Sequence, residues 1–245
     1  MQLQVFTDQD RLAETAADIV ERSLSEFAGR ALGVATGDTP LRVYAELVRR
    51  AELGVLDTGG TSVVALDEYV GVPASDPGSY AAYVRNRIAR PMGITADRVA
   101  VLDGMALPET ACADFERRIR ELGGVGLQVA GIGSNGHLAF NEPGTPFDSR
   151  THMVRLSEQT RRDNGRVFPS GDVPRFALTQ GIGTVLEAQR ILLVATGRRK
   201  AAAVARALEG PPDPSCPTSA LQLHPDVVVL LDDEAASELS AKVPA

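Results

Sequence analysis

Short, continuous apolar runs recur along the chain, and each stops at the same kind of punctuation. ALGVA at Ala31–Ala35 ends on Thr36-Gly37, SVVAL at Ser62–Leu66 on Asp67-Glu68-Tyr69, and ILLVA at Ile191–Ala195 on Thr196-Gly197. LQVAGI at Leu127–Ile132 runs into a glycine-rich turn, and VVVLL at Val227–Leu231 closes the series. A strand that is apolar at every position buries both of its faces, which is the habit of parallel sheets covered by crossover helices. The intervening segments supply those helices. Leu41, Tyr44, Leu47 and Val48 share one helical face, as do Cys112, Phe115, Ile119 and Leu122, and Ala201, Val204, Ala205 and Leu208. Met1, Leu3 and Val5 alternate with glutamines as a first strand. A helix carrying Leu12, Ala16, Ile19, Val20 and Phe27 follows, with Thr7 and Asp10 as its cap. The expected class is α/β, an open, mostly parallel sheet with helices on both faces. Its strand-to-helix turns line one edge, where such folds bind ligands.

No linker divides the 245 residues, so residues 1–245 are expected to form a single domain. A polar stretch rich in Arg, Asp, Ser and Pro, about residues 143–176, is too long for an ordinary connection and reads as a lid-like or a disordered segment. A formal charge of −7 and a pI near 5.1 disfavour nucleic acid and anionic membranes as partners. A phosphorylated substrate would therefore need a local basic pocket. Cys112 and Cys216 are the only two cysteines. Without a C-x-x-C pair they predict free thiols in a reducing compartment, not a zinc site. The N-terminus lacks the basic and apolar regions of a signal peptide, and the apolar runs fall far short of the ~20 residues that span a bilayer. The expected location is cytoplasmic.

The chemistry sits at the punctuation. Gly131, Gly133 and Gly136 match the dinucleotide fingerprint G-x-G-x-x-G. The acidic residue that should follow ~20 positions on would fall in the polar stretch and not at a strand end, so no nicotinamide cofactor is expected. His137 stands close to Asn141-Glu142-Pro143, and a histidine beside a carboxylate makes a proton-transfer couple. Glu142 would orient the ring, and Asn135 would add an amide donor or acceptor. The plain alternative is a turn whose histidine only packs or caps. Asp67 and Glu68 point to opposite sides of an extended chain, so one of them at most faces a pocket. An aspartate beside an apolar strand end has the raised pKa of a base, unless it is merely a cap.

Thr36-Gly37-Asp38-Thr39-Pro40 turns into a helix, with Thr39 as N-cap and Pro40 at the first helical position. Its amides, hydroxyls and helix dipole suit an anion. Thr196-Gly197-Arg198-Arg199-Lys200 repeats the design with basic residues added, and two such turns at one edge favour a phosphate. Asp38 argues the other way. A carboxylate ~4 Å from a phosphate costs about 1 kcal/mol per unit charge in water and ~4 kcal/mol at an effective dielectric near 20. It must point away, pair with an arginine, or weaken binding.

Taken together, ATGDTP at 35, LDEYVG at 66, GIGSNGHLAFNEPG at 131, EQTRRDNGR at 158, ALTQGIGT at 177, ATGRRKA at 195 and SALQLHP at 219 resemble the glucosamine-6-phosphate deaminase family. The resemblance runs through nearly the whole chain, and the second and third segments are its most specific parts. It implies a Rossmann-like α/β sheet, no cofactor, no metal, and conversion of glucosamine 6-phosphate and water to fructose 6-phosphate and ammonia. By motif position Asp67 resembles the base that takes the C2 proton, His137 the group that drives ring opening, and Glu142 its carboxylate partner. Asn135 stands where many relatives have Asp, which breaks a strict Asp-His-Glu relay. The implied phosphate contacts are Thr36, Gly37, Thr39, Arg166 and Lys200, and Asp38 stands where relatives usually carry Gly or Ser.

Hexameric relatives regulated by N-acetylglucosamine 6-phosphate carry basic residues near the position of His152 and Val154. Val154 cannot bind a phosphate, so that regulation is not expected; a homo-oligomer is left open. The expected partner is a small amino-sugar phosphate. The alternatives are a deaminase/isomerase for a different amino-sugar phosphate, a non-catalytic sugar-phosphate sensor, and a lactonase of the 6-phosphogluconolactonase type. DEYVG and FNEPG fit the lactonase poorly.

Overall fold

The structure is a computed structural model and describes residues 1–165, 168 and 172–240. Its main sheet has seven strands, all parallel where they pair. In chain order these are β1 (Gln2–Phe6), β2 (Ala31–Val34), β3 (Val63–Ala65), β5 (Val99–Ala100), β6 (Val125–Ala130), β9 (Arg190–Ala195) and β10 (Val227–Asp232). Across the sheet they run β1-β10-β9-β6-β2-β3-β5. Strands β4 (Asp67–Tyr69), β7 (His152–Arg155) and β8 (Phe176–Thr179) form a second, antiparallel sheet in the order β4-β8-β7.

The continuous apolar runs bury both faces, as such runs should. In β9, Ile191, Leu193 and Ala195 join one core, while Leu192 and Val194 join the other. Strand β10 divides the same way, Val227, Val229 and Leu231 against Val228 and Leu230. Each such Val, Leu or Ile side chain is worth roughly 1.5–3 kcal/mol when fully buried, and slipping a central strand by one residue would exchange its partners on both faces. Helices α1 (Gln9–Glu26), α2 (Asp38–Glu52) and α3 (Tyr80–Val84), the last continued by a π-helical turn at Arg85–Ala89, pack on the core holding Leu192. Helices α4 (Pro108–Glu121) and α7 (Ala201–Glu209) pack on the other, through Phe115, Ile119 and Val204. Two short helices, α5 (Glu158–Asp163) and α6 (Ile182–Val185), flank β8 in sequence.

Local details depart from the expectations. Asp8, not Thr7 or Asp10, caps α1, its carboxylate accepting from the Asp10 amide at 2.8 Å. Thr39 is not the N-cap of α2: Gly37 holds that position at φ +117, with no side-chain cap bond, and Asp38 is the first helical residue. Only glycine enters this turn without strain, and that moves Thr39 and Pro40 inside the first turn. Strand β6 begins at Val125, ahead of Leu127, and ends at Ala130, which leaves Gly131 and Ile132 to the turn. The polar stretch 143–176 carries β7 and α5 and packs Leu156 and Val173 beneath the small sheet with Tyr69, Tyr80 and Phe140.

Candidate active site

The carboxyl ends of β2, β3, β6 and β9 open into one cavity of about 350 Å³. Thr36, Gly37, Asp38, Thr39, Asp67, Tyr80, Ser134, His137, Asp163, Thr196, Arg199 and Lys200 bring polar atoms to it, between apolar walls that include Leu66, Ile132 and Phe140.

Asp67 owes its place to the junction of the two sheets. Gln180 donates its amide to Leu66 O and its side chain to Ala65 O, both at 2.8 Å. The chain therefore leaves the parallel sheet at Leu66 and pairs antiparallel at once, Asp67 opposite Thr179. Asp67 is 5% exposed, and its Oδ1 has no hydrogen-bond partner among the described residues. Burial first, and the charge of Glu68 second, push its carboxyl well above the usual carboxylate range. Glu68 faces away from the cavity, as the alternation of an extended chain requires. It accepts from Ser79 Oγ at 2.6 Å and from the amides of Tyr69, Ala81 and Tyr80 at 2.8, 2.8 and 3.1 Å. These bonds fasten the start of α3, and with it Tyr80, to the strand that carries Asp67. The hydroxyls of Tyr80 and Tyr69 lie 3.1 Å apart, and burial pushes both phenols up, so they stay neutral.

His137 rides on a tight turn in which Gly133 donates to His137 O at 3.0 Å, and the single hydroxyl proton of Thr218 is shared between the carbonyls of Gly136 and His137, 3.0 and 3.1 Å from Oγ1. A Cβ at position 133 would lie 2.2 Å from the imidazole, so only glycine allows the ring to fold back onto its own turn. Asn135 bridges the turn, accepting the His137 amide at 3.1 Å and donating to Glu142 Oε2 at 2.9 Å. Glu142 also accepts the Ser157 amide at 2.8 Å. The expected carboxylate contact to the imidazole is thus not made, and Glu142 reaches His137 through its charge and through Asn135. Burial pulls the imidazole down to about 4, with Glu142 opposing.

The opposite wall is the anion side. The uncapped N-terminus of α2 presents first-turn amides with no intrahelical acceptor. Tyr44 and Tyr83 brace that turn by donating to the carbonyls of Ala35 and Gly37 at 2.8 and 3.1 Å. The Thr196 turn is not a copy of it. Its Gly197 amide points to Asp232 at 2.9 and 3.0 Å, and its Arg198 amide to Glu234 at 3.3 Å. Those two amides are thus turned to carboxylates, and from this turn Thr196, Arg199 and Lys200 line the cavity. Burial pulls the Lys200 ammonium down while Asp163 and Asp38 hold it up. Asp38 is among the residues that line the cavity, and its charge acts on Lys200. Arg166 lies outside the described residues.

Sequence reasoning passed over Tyr80, Asp163 and Thr160. Tyr80 follows Asp67 in a stretch without clear periodicity. Asp163 lines the cavity and accepts from Ser134 Oγ at 2.6 Å, and Thr160 faces the His137 ring, both from a helix of six residues too short to show a pattern. Among the described residues, no helix is long and apolar enough to cross a membrane.

The family model for glucosamine-6-phosphate isomerases/6-phosphogluconolactonase matches residues 7–229. The glucosamine-6-phosphate deaminase of Cutibacterium acnes is 43% identical over 98% of this chain and 93% of its own. That of Bacillus velezensis is 45% identical over 93% of this chain and 95% of its own. The solved structure of a monomeric glucosamine-6-phosphate deaminase superposes with a TM-score of 0.94 at 42% identity, covering 97% of this chain and 100% of that one. The 6-phosphogluconolactonase of Leishmania guyanensis, with a TM-score of 0.78 at 18% identity over 98% of this chain and 99% of its own, shares the fold. The chain belongs to the glucosamine-6-phosphate isomerase/6-phosphogluconolactonase family.

Proposed function

We propose that this protein is a glucosamine-6-phosphate deaminase, converting glucosamine 6-phosphate and water to fructose 6-phosphate and ammonia. One observation carries the reading: a buried, poorly satisfied carboxylate at Asp67 shares a cavity with His137, while Thr36, Gly37, Thr39 and Lys200 line the same cavity. In the reaction His137 assists opening of the pyranose to the aldehyde. The C2 proton is then α to a carbonyl, and Asp67 removes it, its raised pKa making it a stronger base in the ionised form. The enolamine formed is reprotonated at C1 by the same carboxyl. Water adds to the C2 imine and ammonia leaves. The phosphate rests on the α2 N-terminus, Thr39 and Lys200, with Arg166 as a further contact. The reading carries with it a small-molecule partner and a cytoplasmic location.

The position of Asp38 on the cavity wall supports a second reading, a preference for another amino-sugar phosphate. The test is release of ammonia and fructose 6-phosphate from glucosamine 6-phosphate by purified, EDTA-treated protein. Equal amounts of both are expected; folded protein that releases neither overturns the assignment.

A further inference from the structure

The hydrogen bonds around His137 leave its ring a single consistent arrangement. Both oxygens of Glu142 are engaged elsewhere, by Asn135 Nδ2 and by the Ser157 amide. What faces the ring nitrogen Nδ1 is the hydroxyl of Thr160, at 3.4 Å. Thr160 is 1% exposed, so its hydroxyl must be satisfied by protein groups. Ser157, the N-cap of α5, accepts the Thr160 amide at 3.1 Å and donates its own hydroxyl proton to Thr160 Oγ1 at 3.0 Å. A hydroxyl has one proton to give. Already an acceptor from Ser157, Thr160 has Nδ1 as its remaining partner. If Nδ1 carried the proton instead, the Thr160 hydroxyl proton would be buried without an acceptor, a costly arrangement.

We propose that Thr160 is a positioning residue that donates to Nδ1 of His137, fixes the neutral ring as the Nε2–H tautomer, and so turns a hydrogen-bond donor toward the sugar. The inference rests on the reading of His137 as the ring-opening group and deepens it. A carboxylate at Nδ1 selects the opposite tautomer and leaves Nε2 as a base. Here Asn135 and the Ser157 amide hold Glu142 off the ring, and a hydroxyl takes the place of the carboxylate. A protonated Nε2 cannot accept the O1 proton of the sugar. Of the two roles that a histidine can play in ring opening, this tautomer serves hydrogen-bond donation to the ring oxygen. The charged groups that act on the ring are Glu142, Lys200 and Asp163. Because burial keeps the imidazole neutral at physiological pH, the tautomer and not the charge decides what the ring offers.

The test reads the tautomer directly, by 15N–1H correlation spectra of the imidazoles in the resting protein at pH 7.5. The His137 signals are assigned by their loss in His137→Gln. In the wild-type protein the proton is expected on Nε2 alone. Thr160→Val, which keeps the shape and removes the hydroxyl, is expected to give a mixture of tautomers, and Thr160→Ser to restore the single one. In turnover of glucosamine 6-phosphate, Thr160→Val is expected to lower kcat about 10-fold with KM within about twofold. A wild-type ring protonated at Nδ1 overturns the proposal, as does a folded Thr160→Val with unchanged tautomer and kcat. The wild-type spectrum decides the tautomer even if the valine variant fails to fold. It needs no substrate, so its outcome is separate from that of the deaminase assay.

Discussion

The hydroxyl oxygens of Thr39 and Thr196, 157 positions apart in the sequence and both residues lining the cavity, lie 3.2 Å from each other. The contact joins the start of α2 to the turn after β9 across the intervening strand β6, so the two halves of the anion wall are held at one spacing. Thr39→Val and Thr196→Val each remove one hydroxyl donor worth about 1 kcal/mol. Each is expected to raise KM for glucosamine 6-phosphate roughly fivefold while kcat stays within about twofold, since the phosphate is bound equally in ground and transition states. Steady-state kinetics of the two variants check this.

Asp67→Asn is expected to lower kcat by at least about 10²-fold while substrate still binds. The same change should make the protein more stable at neutral pH. Burial raises the folded-state pKa of Asp67 above its unfolded value, so the folded state binds the proton more tightly. Its contribution is then fully present below the unfolded pKa and lost as pH rises through the folded one. Asparagine never ionises and avoids that loss. Urea unfolding at pH 7.5 and near pH 3.5 should give a variant more stable than wild type at the higher pH, with the gain shrinking at the lower. Near-wild-type turnover would remove Asp67 from the mechanism.

Asp38 brings negative charge to the wall that receives the phosphate. Asp38→Asn is expected to tighten inhibition by inorganic phosphate about fivefold, the ~1 kcal/mol of one unit charge at 4 Å in water. Unchanged inhibition, together with unchanged selectivity among amino-sugar phosphates, would take away the motive for an altered substrate.

Glu68 accepts three hydrogen bonds from the start of α3 and one from the Tyr69 amide, two at each carboxylate oxygen, and a glutamine would set its NH2 against the two donors at one of those oxygens. Glu68→Gln is expected to cost about 2–4 kcal/mol of stability. It should also lower kcat, because Tyr80 and Asp67 lose their common support. Ser79→Ala removes one of those donors and the N-cap of α3 together, for about 1–2 kcal/mol. Denaturant unfolding alongside kinetics separates the two effects.

The main sheet was legible because its strands are self-announcing: Ile191–Ala195 and Val227–Leu231 are apolar at each position, and few structures other than a sheet covered on both faces bury such runs. The segments carrying Asp67, His137 and Lys200 were legible because glycine and threonine mark where strands end. The second sheet was not. DEY, HMVR and FALT are short and mixed in polarity, and β4 meets β8 only by pairing Asp67 with Thr179 far along the chain. No local period encodes that pairing. The division of labour between Asp67 and Glu68 followed in principle from strand alternation, but which of them faces the cavity depended on the junction of the two sheets, where Asp67 pairs opposite Thr179. Likewise the sequence supplied His137 and Glu142 as neighbours, and tertiary structure sent Glu142 to Asn135 and Ser157 and set Thr160 against the ring. Residue types and turn signals are properties of the local chain, whereas the partner of a buried polar group is whichever donor or acceptor the packed elements bring within 3 Å or so.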